Sequence, residues 1–220
     1  RLIEGKNCKE KENMYLKGDS KYIKITQKDF EKIPGCPMGY WASTNLIKSF
    51  SIYKPLELIL NPRQGLKTLN NESFTRLWFE VDKNKLSFKD GKKWFPFNNG
   101  GGFRKWFGLN DTVVNWENDG YEIKKLAKQK YNSITRTVTN LNSYFIPGIT
   151  WSVIASGSAS FRMYEKGFIF SNSGQCMISN DENLRFNIIG LLNSKITNSL
   201  LSILSPTIGF ESGYLKKLPV

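Results

Sequence analysis

Asp111, Glu122 and Lys124 come nearest to a reacting set in this chain of 220 residues. Two carboxylates and a lysine, the second carboxylate in an acidic-x-lysine triplet (Glu122-Ile123-Lys124), can hold a divalent cation and position an attacking water. That is the chemistry of a Mg²⁺-dependent nuclease. The same residue types coincide often in a lysine-rich chain, and the ordinary alternative is a solvated helix start with acidic side chains in its first turn. Other chemistries lack their residues. Histidine is absent, which removes Ser-His-Asp and Cys-His catalysis and histidine-ligated zinc or non-haem iron. The cysteines, Cys8, Cys36 and Cys176, form no C-x-x-C pair. They suggest neither a zinc knuckle nor a disulfide framework and read as free thiols in a reducing cytoplasm.

Cofactor loops are equally thin. Gly100-Gly101-Gly102 lacks the G-x-G-x-x-G order, the following helix and the later acidic residue of a dinucleotide loop, and it lacks the terminal Gly-Lys-Ser/Thr of a P-loop. It reads as a flexible turn. Transfer of a methyl group to a base amino nitrogen needs an Asn/Asp-Pro-Pro-aromatic loop for the extruded base. Asn61-Pro62-Arg63 is the nearest approach, and it has neither the second proline nor the aromatic.

What the chain does hold is a belt of basic and aromatic residues between Arg63 and Arg136. Arginine grips guanine edges or phosphates with two parallel hydrogen bonds, and asparagine or glutamine can read adenine. The candidate DNA contacts are Arg63, Gln64, Lys67, Thr68, Arg76, Arg104, Lys105, Asn118 and Arg136, with Asn115 as a further amide. Net charge is +13. Residues 54–136 carry 16 basic and 9 acidic side chains, a surplus of seven, and are the electropositive part. A polyanionic partner fits this excess, because neutralising phosphates releases counterions. The plain alternative is a solvated lysine-rich surface, with the aromatics in the core.

The elements that must position these side chains follow from hydrophobic period and from breakers. An apolar share of 40% suits a globular chain, and no apolar run approaches the ~20 residues of a membrane span. Tyr22–Thr26 reads as a short strand and Pro34–Pro37 as a turn cluster. The spacing predicts a helix over Met38–Phe50, closed by Pro55, and a buried strand over Leu56–Leu60. Alternation predicts strands at Thr75–Val81, Val113–Trp116, Ile149–Ile154, Ser160–Tyr164 and Gly167–Phe170. A short helix with a basic face falls at Tyr121–Lys130. Near the end, Ile188, Leu191, Leu192, Ile196, Leu200, Leu201, Ile203 and Leu204 give one apolar helical face, stopped at Pro206. The sum is an α+β fold with an irregular mixed sheet, flanking helices and a prominent C-terminal helix. Residues 1–37 read as a connector from an upstream domain and 38–220 as one domain, a piece of something larger.

The closing helix, break and Leu218-Pro219-Val220 ending resemble the end of DNA target-recognition domains in restriction-modification systems. Four further stretches stand in order. They are Phe30–Ser43; Arg63–Thr68 with Arg76–Glu80; Lys93–Asn98 with Phe103–Phe107 and Val114–Gly120; and Gly148–Ser152 with Gly167–Phe170. Closed by Leu191–Lys195, they resemble the C-terminal region of the PglX-type adenine-specific DNA methyltransferases of BREX phage-defence systems. The resemblance runs from about Lys28 to Val220. It implies a non-catalytic module that reads double-stranded DNA for an upstream methyltransferase domain, itself charged with S-adenosylmethionine. It implies a cytoplasmic protein off the membrane, with other defence-system proteins as further partners. A protein-interaction module is the third reading beside DNA recognition and the nuclease.

Overall fold

The computed structural model describes residues 7–18, 26–87 and 92–220. It divides into two compact units, Arg1–Ile52 and Tyr53–Val220. In the first, α1 (Cys8–Leu16) has Asn7 as its cap, the side chain accepting from the Glu10 N–H at 2.9 Å. No residue of α1 is buried. The short α2 (Gln27–Phe30) begins in a capping box, Thr26 donating to Asp29 through both N–H (3.0 Å) and hydroxyl (2.8 Å). The backbone bond from Thr26 and the bond from Lys32 hold the Asp29 carboxyl down at about 2. The strand expected at Tyr22–Thr26 lies outside the described residues but for Thr26, the cap. The helix expected from Met38 begins at Thr44 instead (α3, Thr44–Ile52). Pro37, Gly39 and Ala42 close two tight turns first, and Ser43 caps the helix by accepting from the Leu46 N–H at 3.3 Å. Periodicity is blind to that cap; the Ser43 hydroxyl decides it.

The second unit holds two small sheets. β1 (Thr75–Leu77), β2 (Trp94–Asn98), β3 (Thr112–Asn115) and β6 (Ile169–Phe170) form the order β1-β3-β2-β6, antiparallel except for β2 with β6. β4 (Gly148–Trp151), β5 (Phe161–Tyr164) and β7 (Cys176–Ile178) form an antiparallel β5-β4-β7. Pro96 sits mid-strand in β2, but β6 pairs only Phe97 and Asn98, so no ladder bond is lost on that side at the residue without an N–H. Thr75–Val81 is strand only to Leu77; Trp78–Glu80 is a 3₁₀ turn held by Glu80, which accepts from the Leu77 N–H at 2.8 Å. Leu56–Leu60 is likewise a 3₁₀ turn at Leu56–Leu58, which still buries Leu56 and Leu60. A strand there would have turned the two residues to the same face as well, so burial alone does not separate the alternatives.

One segment joins the sheets. Arg63 pairs with Cys176 on the outer edge of β7, N–H to O at 2.7 Å and 3.1 Å in the two directions. Three residues on, Leu66 donates to Phe170 O (2.8 Å) and accepts from the Asn172 N–H (3.0 Å) at the outer edge of β6. Phe95, Phe97 and Val114 from the first sheet and Tyr164 and Cys176 from the second share one core with Trp116 and Ile123. Burial pushes the Cys176 thiol and the Tyr164 and Tyr144 phenols up.

Helix α5 (Glu117–Tyr131) places Ile123 in this core, and α6 (Glu182–Leu192) packs on β4 and β5. The single closing helix read from the sequence is two. Asn193 ends α6, and Ser194 caps α7 (Lys195–Leu204) by accepting from the Thr197 N–H at 3.2 Å. α8 (Ser212–Lys216) follows, and Leu56 N–H donates to Leu218 O at 2.7 Å. Among the described residues no helix is long and apolar enough to cross a membrane.

Candidate nucleic-acid interface

The joining segment is also where the polar candidates gather. Gly65 leaves no room for a side chain, since a Cβ there would lie 1.9 Å from Phe170 O. The chain therefore runs flush against β6, with Gln64 exposed on one side of Gly65 and Leu66 buried in the core on the other. Gln64 O accepts from Asn140 Nδ2 at 2.9 Å and from Thr139 Oγ1 at 3.2 Å, and the Lys67 N–H donates to Thr137 O at 2.9 Å. Residues 134–140 are thereby fastened alongside residues 64–67, which sets Arg136 near Lys67. The Arg136 guanidinium stands 5.2 Å over the Tyr131 ring at the C-terminal end of α5, where Lys128 and Lys130 complement the helix dipole.

A cleft of about 280 Å³ opens beside Lys67. Lys67, Thr68, Asn71, Asn99, Asn172 and Ser173 supply its polar lining, and no carboxylate lines it. The Thr68 hydroxyl donates to Asn71 Oδ1, which leaves the Asn71 amide nitrogen as a donor. Buried Ser171 accepts from the N–H groups of Ser173 (3.0 Å) and Gly174 (2.7 Å) through its hydroxyl oxygen, so its own O–H is left to donate. The cleft offers amides with both donor and acceptor edges and one ammonium, a set that matches base edges and phosphate. Spacing in sequence did not disclose it. Asn71, Asn99 and Asn172 come from α4 (Asn71–Phe74), the end of β2 and the turn after β6, and only the sheet pairing brings them together.

Among the sequence candidates the structure brings together Gln64, Lys67, Thr68 and Arg136. It places the others elsewhere. Arg63 is half-buried and donates to Ser143 Oγ at 2.5 Å. Arg76 donates to the carbonyls of Glu72 and Thr75 and stands 6.0 Å from the Trp94 ring centre, which Lys93 also approaches at 5.9 Å. Asn118 is exposed in a left-handed turn with Asp119 and Gly120, all at positive φ. Arg104 donates its N–H to Ser160 Oγ (3.2 Å), and Lys105 reaches Asn193 O (2.8 Å) at the end of α6. Their neighbour Trp106 pairs with the outer edge of β5. Arg63 lies on β7 and Arg104 beside β5, so four strand spacings, roughly 19 Å, separate the two. Asn115 is buried, donating to Glu122 at 2.8 Å.

The carboxylate set is not brought together either. Asp111 precedes β3, whereas Glu122 is bonded to Asn115 at its far end, about 13 Å along the strand. Lys124 is engaged with Asp119 over the Trp116 ring. Among the described residues no cluster of three or more His, Cys, Asp or Glu could hold a metal ion.

The cleft beside Lys67 is thus polar, with one ammonium and no carboxylate in its lining. No family model matches the chain. Its whole length matches part of the adenine-specific methyltransferase PglX of Lacticaseibacillus casei (strain Zhang) at 37% identity over 234 residues. It also matches part of the adenine-specific methyltransferase BrxX of Escherichia coli O9:H4 (strain HS), at 37% over 225 residues. The chain spans about a fifth of each relative (19% and 18%). It is thus a relative, end to end, of a segment of the PglX- and BrxX-type adenine-specific methyltransferases, as its motifs led one to expect.

Proposed function

We propose that this chain is the C-terminal DNA target-recognition part of an adenine-specific methyltransferase of this kind, and that methyl transfer is done by residues outside it. The carboxylate-free cleft carries the reading: Lys67 at the cleft and Arg136 on the neighbouring segment take phosphates, and Asn71, Asn99 and Asn172 read base edges. S-adenosylmethionine belongs on this reading to the remainder of the polypeptide. Gly100–Gly102 follows β2 but leads through irregular chain to β3 rather than into a helix, so it offers no helix N-terminus to a nucleotide-bearing donor.

The test is duplex binding by the full-length protein across a salt series. Lys67→Ala and Arg136→Ala each reduce the log–log salt slope by about 0.9 and weaken all sequences alike. Asn71→Ala and Asn172→Ala leave the slope unchanged and cost about 1–3 kcal/mol on the preferred site, relaxing its sequence. Unchanged slopes in both charge variants sink the assignment of this cleft. The nuclease reading gains nothing from the arrangement of Asp111, Glu122 and Lys124.

A further inference from the structure

A second cavity lies in the same unit, on different chemistry. It measures about 420 Å³ and lies against the first sheet, with Pro96, Val113 and Phe168 buried at its base and Trp78 and Phe107 standing exposed at its walls. Trp78 and Phe107 remain 46% and 63% exposed, and Phe79, T-stacked on Trp78 at 5.8 Å, is 63% exposed. Large apolar groups left in water around an apolar hollow mark a surface that something else covers. The polar groups of the hollow are Asn110 and Glu165; no lysine or arginine lines it. Asp111 adjoins it, its carbonyl accepting from the Trp78 N–H at 2.9 Å. In a chain of charge +13, the charged side chain that lines this apolar hollow is the carboxylate of Glu165. A phosphate backbone is repelled there, so this face does not extend the DNA cleft.

We infer that this hollow is the seat of the methyltransferase portion of the same polypeptide, which inserts an apolar side chain between Trp78 and Phe107 and sets a lysine or arginine against Glu165. Two observations select that occupant. Each matched relative is about five times longer than this segment, which spans 19% and 18% of them, so the largest protein surface always at hand is the rest of the chain. The Glu165 carboxylate in an otherwise apolar lining calls for a basic, apolar segment rather than an acidic one. Aromatic anchors in a pocket ringed by polar groups are how such contacts concentrate their energy. The inference uses the kinship to these methyltransferases and is independent of whether Lys67 and Arg136 touch DNA.

The experiment replaces Phe107, in the full-length protein, by a photoreactive benzoyl-phenylalanine, irradiates without DNA and maps the crosslinks by mass spectrometry. The same probe at exposed Tyr121 is the control. Crosslinks from position 107 into the methyltransferase portion of the same molecule are expected, far above those from position 121. With the probe at 107, Trp78→Asp lowers their yield roughly tenfold, the factor for losing one anchor of about 1.4 kcal/mol, and Glu165→Lys lowers it too. Crosslinks that form only when duplex DNA is added, or only between two copies in a mixed-label sample, overturn the inference. So does a yield at 107 no higher than at 121. Salt slopes unchanged by Lys67→Ala and Arg136→Ala, with the crosslinks intact, would instead count against the cleft alone.

Discussion

Gly65 shows how one residue can carry both fold and site. A methyl group at this position would meet the Phe170 carbonyl oxygen at 1.9 Å and its carbon at 2.5 Å. Those are backbone atoms in a strand, so neither side can turn away, and the segment would have to lift from β6. Gly65→Ala is expected to cost about 3 kcal/mol or more, read as a shift in urea midpoint at unchanged m. Gly190 is the contrasting case. It lies inside α6, and nothing stands within 4 Å of a Cβ there. Gly190→Ala therefore stabilises by roughly 0.5–1 kcal/mol through chain entropy. Equal effects from the two substitutions would show that contact with β6 does not govern Gly65. The residue scale was also the hardest to read from sequence. Arg63, Arg76 and Arg104 look alike along the chain, yet one guanidinium binds Ser143, one binds helix-end carbonyls, and the third sits by the opposite sheet edge. Side-chain direction depends on strand pairing, and pairing is non-local.

Among the elements, the strands at Thr112–Asn115, Gly148–Trp151 and Phe161–Tyr164 were legible because β-branched and aromatic residues cluster between turn residues. The basic helix was legible too, though it starts earlier, at Glu117, by way of the left-handed turn at Asn118–Gly120. The join between α6 and α7 was not, because the apolar period runs through it almost in phase. A single side chain sets that break. Buried Asn193 accepts from the Phe161 N–H (3.1 Å) and donates to Phe161 O (3.0 Å), while its own carbonyl accepts from Lys105. The end of α6 is thus pinned to the edge of β5. Asn193→Ala leaves the Phe161 N–H without this partner in a dry site and is expected to cost about 2–3 kcal/mol. Asn193→Asp keeps the acceptor but faces a carboxylate to a carbonyl and does no better. Thermal or urea unfolding of the two variants decides the matter; a loss below about 0.5 kcal/mol in both would mean that apolar packing alone fixes the break.

At the scale of the whole unit Tyr53–Val220, two sheets of four and three strands are each too small to hold a core alone. They share one, and Arg63–Leu66 is bonded into both edges. Unfolding either sheet strips the other of its joining segment and of the core they share, so the unit is expected to open as a single cooperative step. The cysteines make this measurable. Cys8 and Cys36 are exposed, whereas Cys176 is buried in the joint with its thiol pushed up by desolvation, which suppresses the reactive thiolate. At neutral pH two thiols are expected to label at once, and the third only as urea opens the unit. Amide exchange at Val113–Val114 in the first sheet and at Ile149–Trp151 in the second should lose protection at the same urea concentration as Cys176 becomes reactive. A duplex bound at Lys67 should move all three transitions upward together, because the cleft is walled by the joining segment and by strands that depend on it. If Cys176 labels while Val113–Val114 stays protected, the sheets open separately and the joint does not couple them.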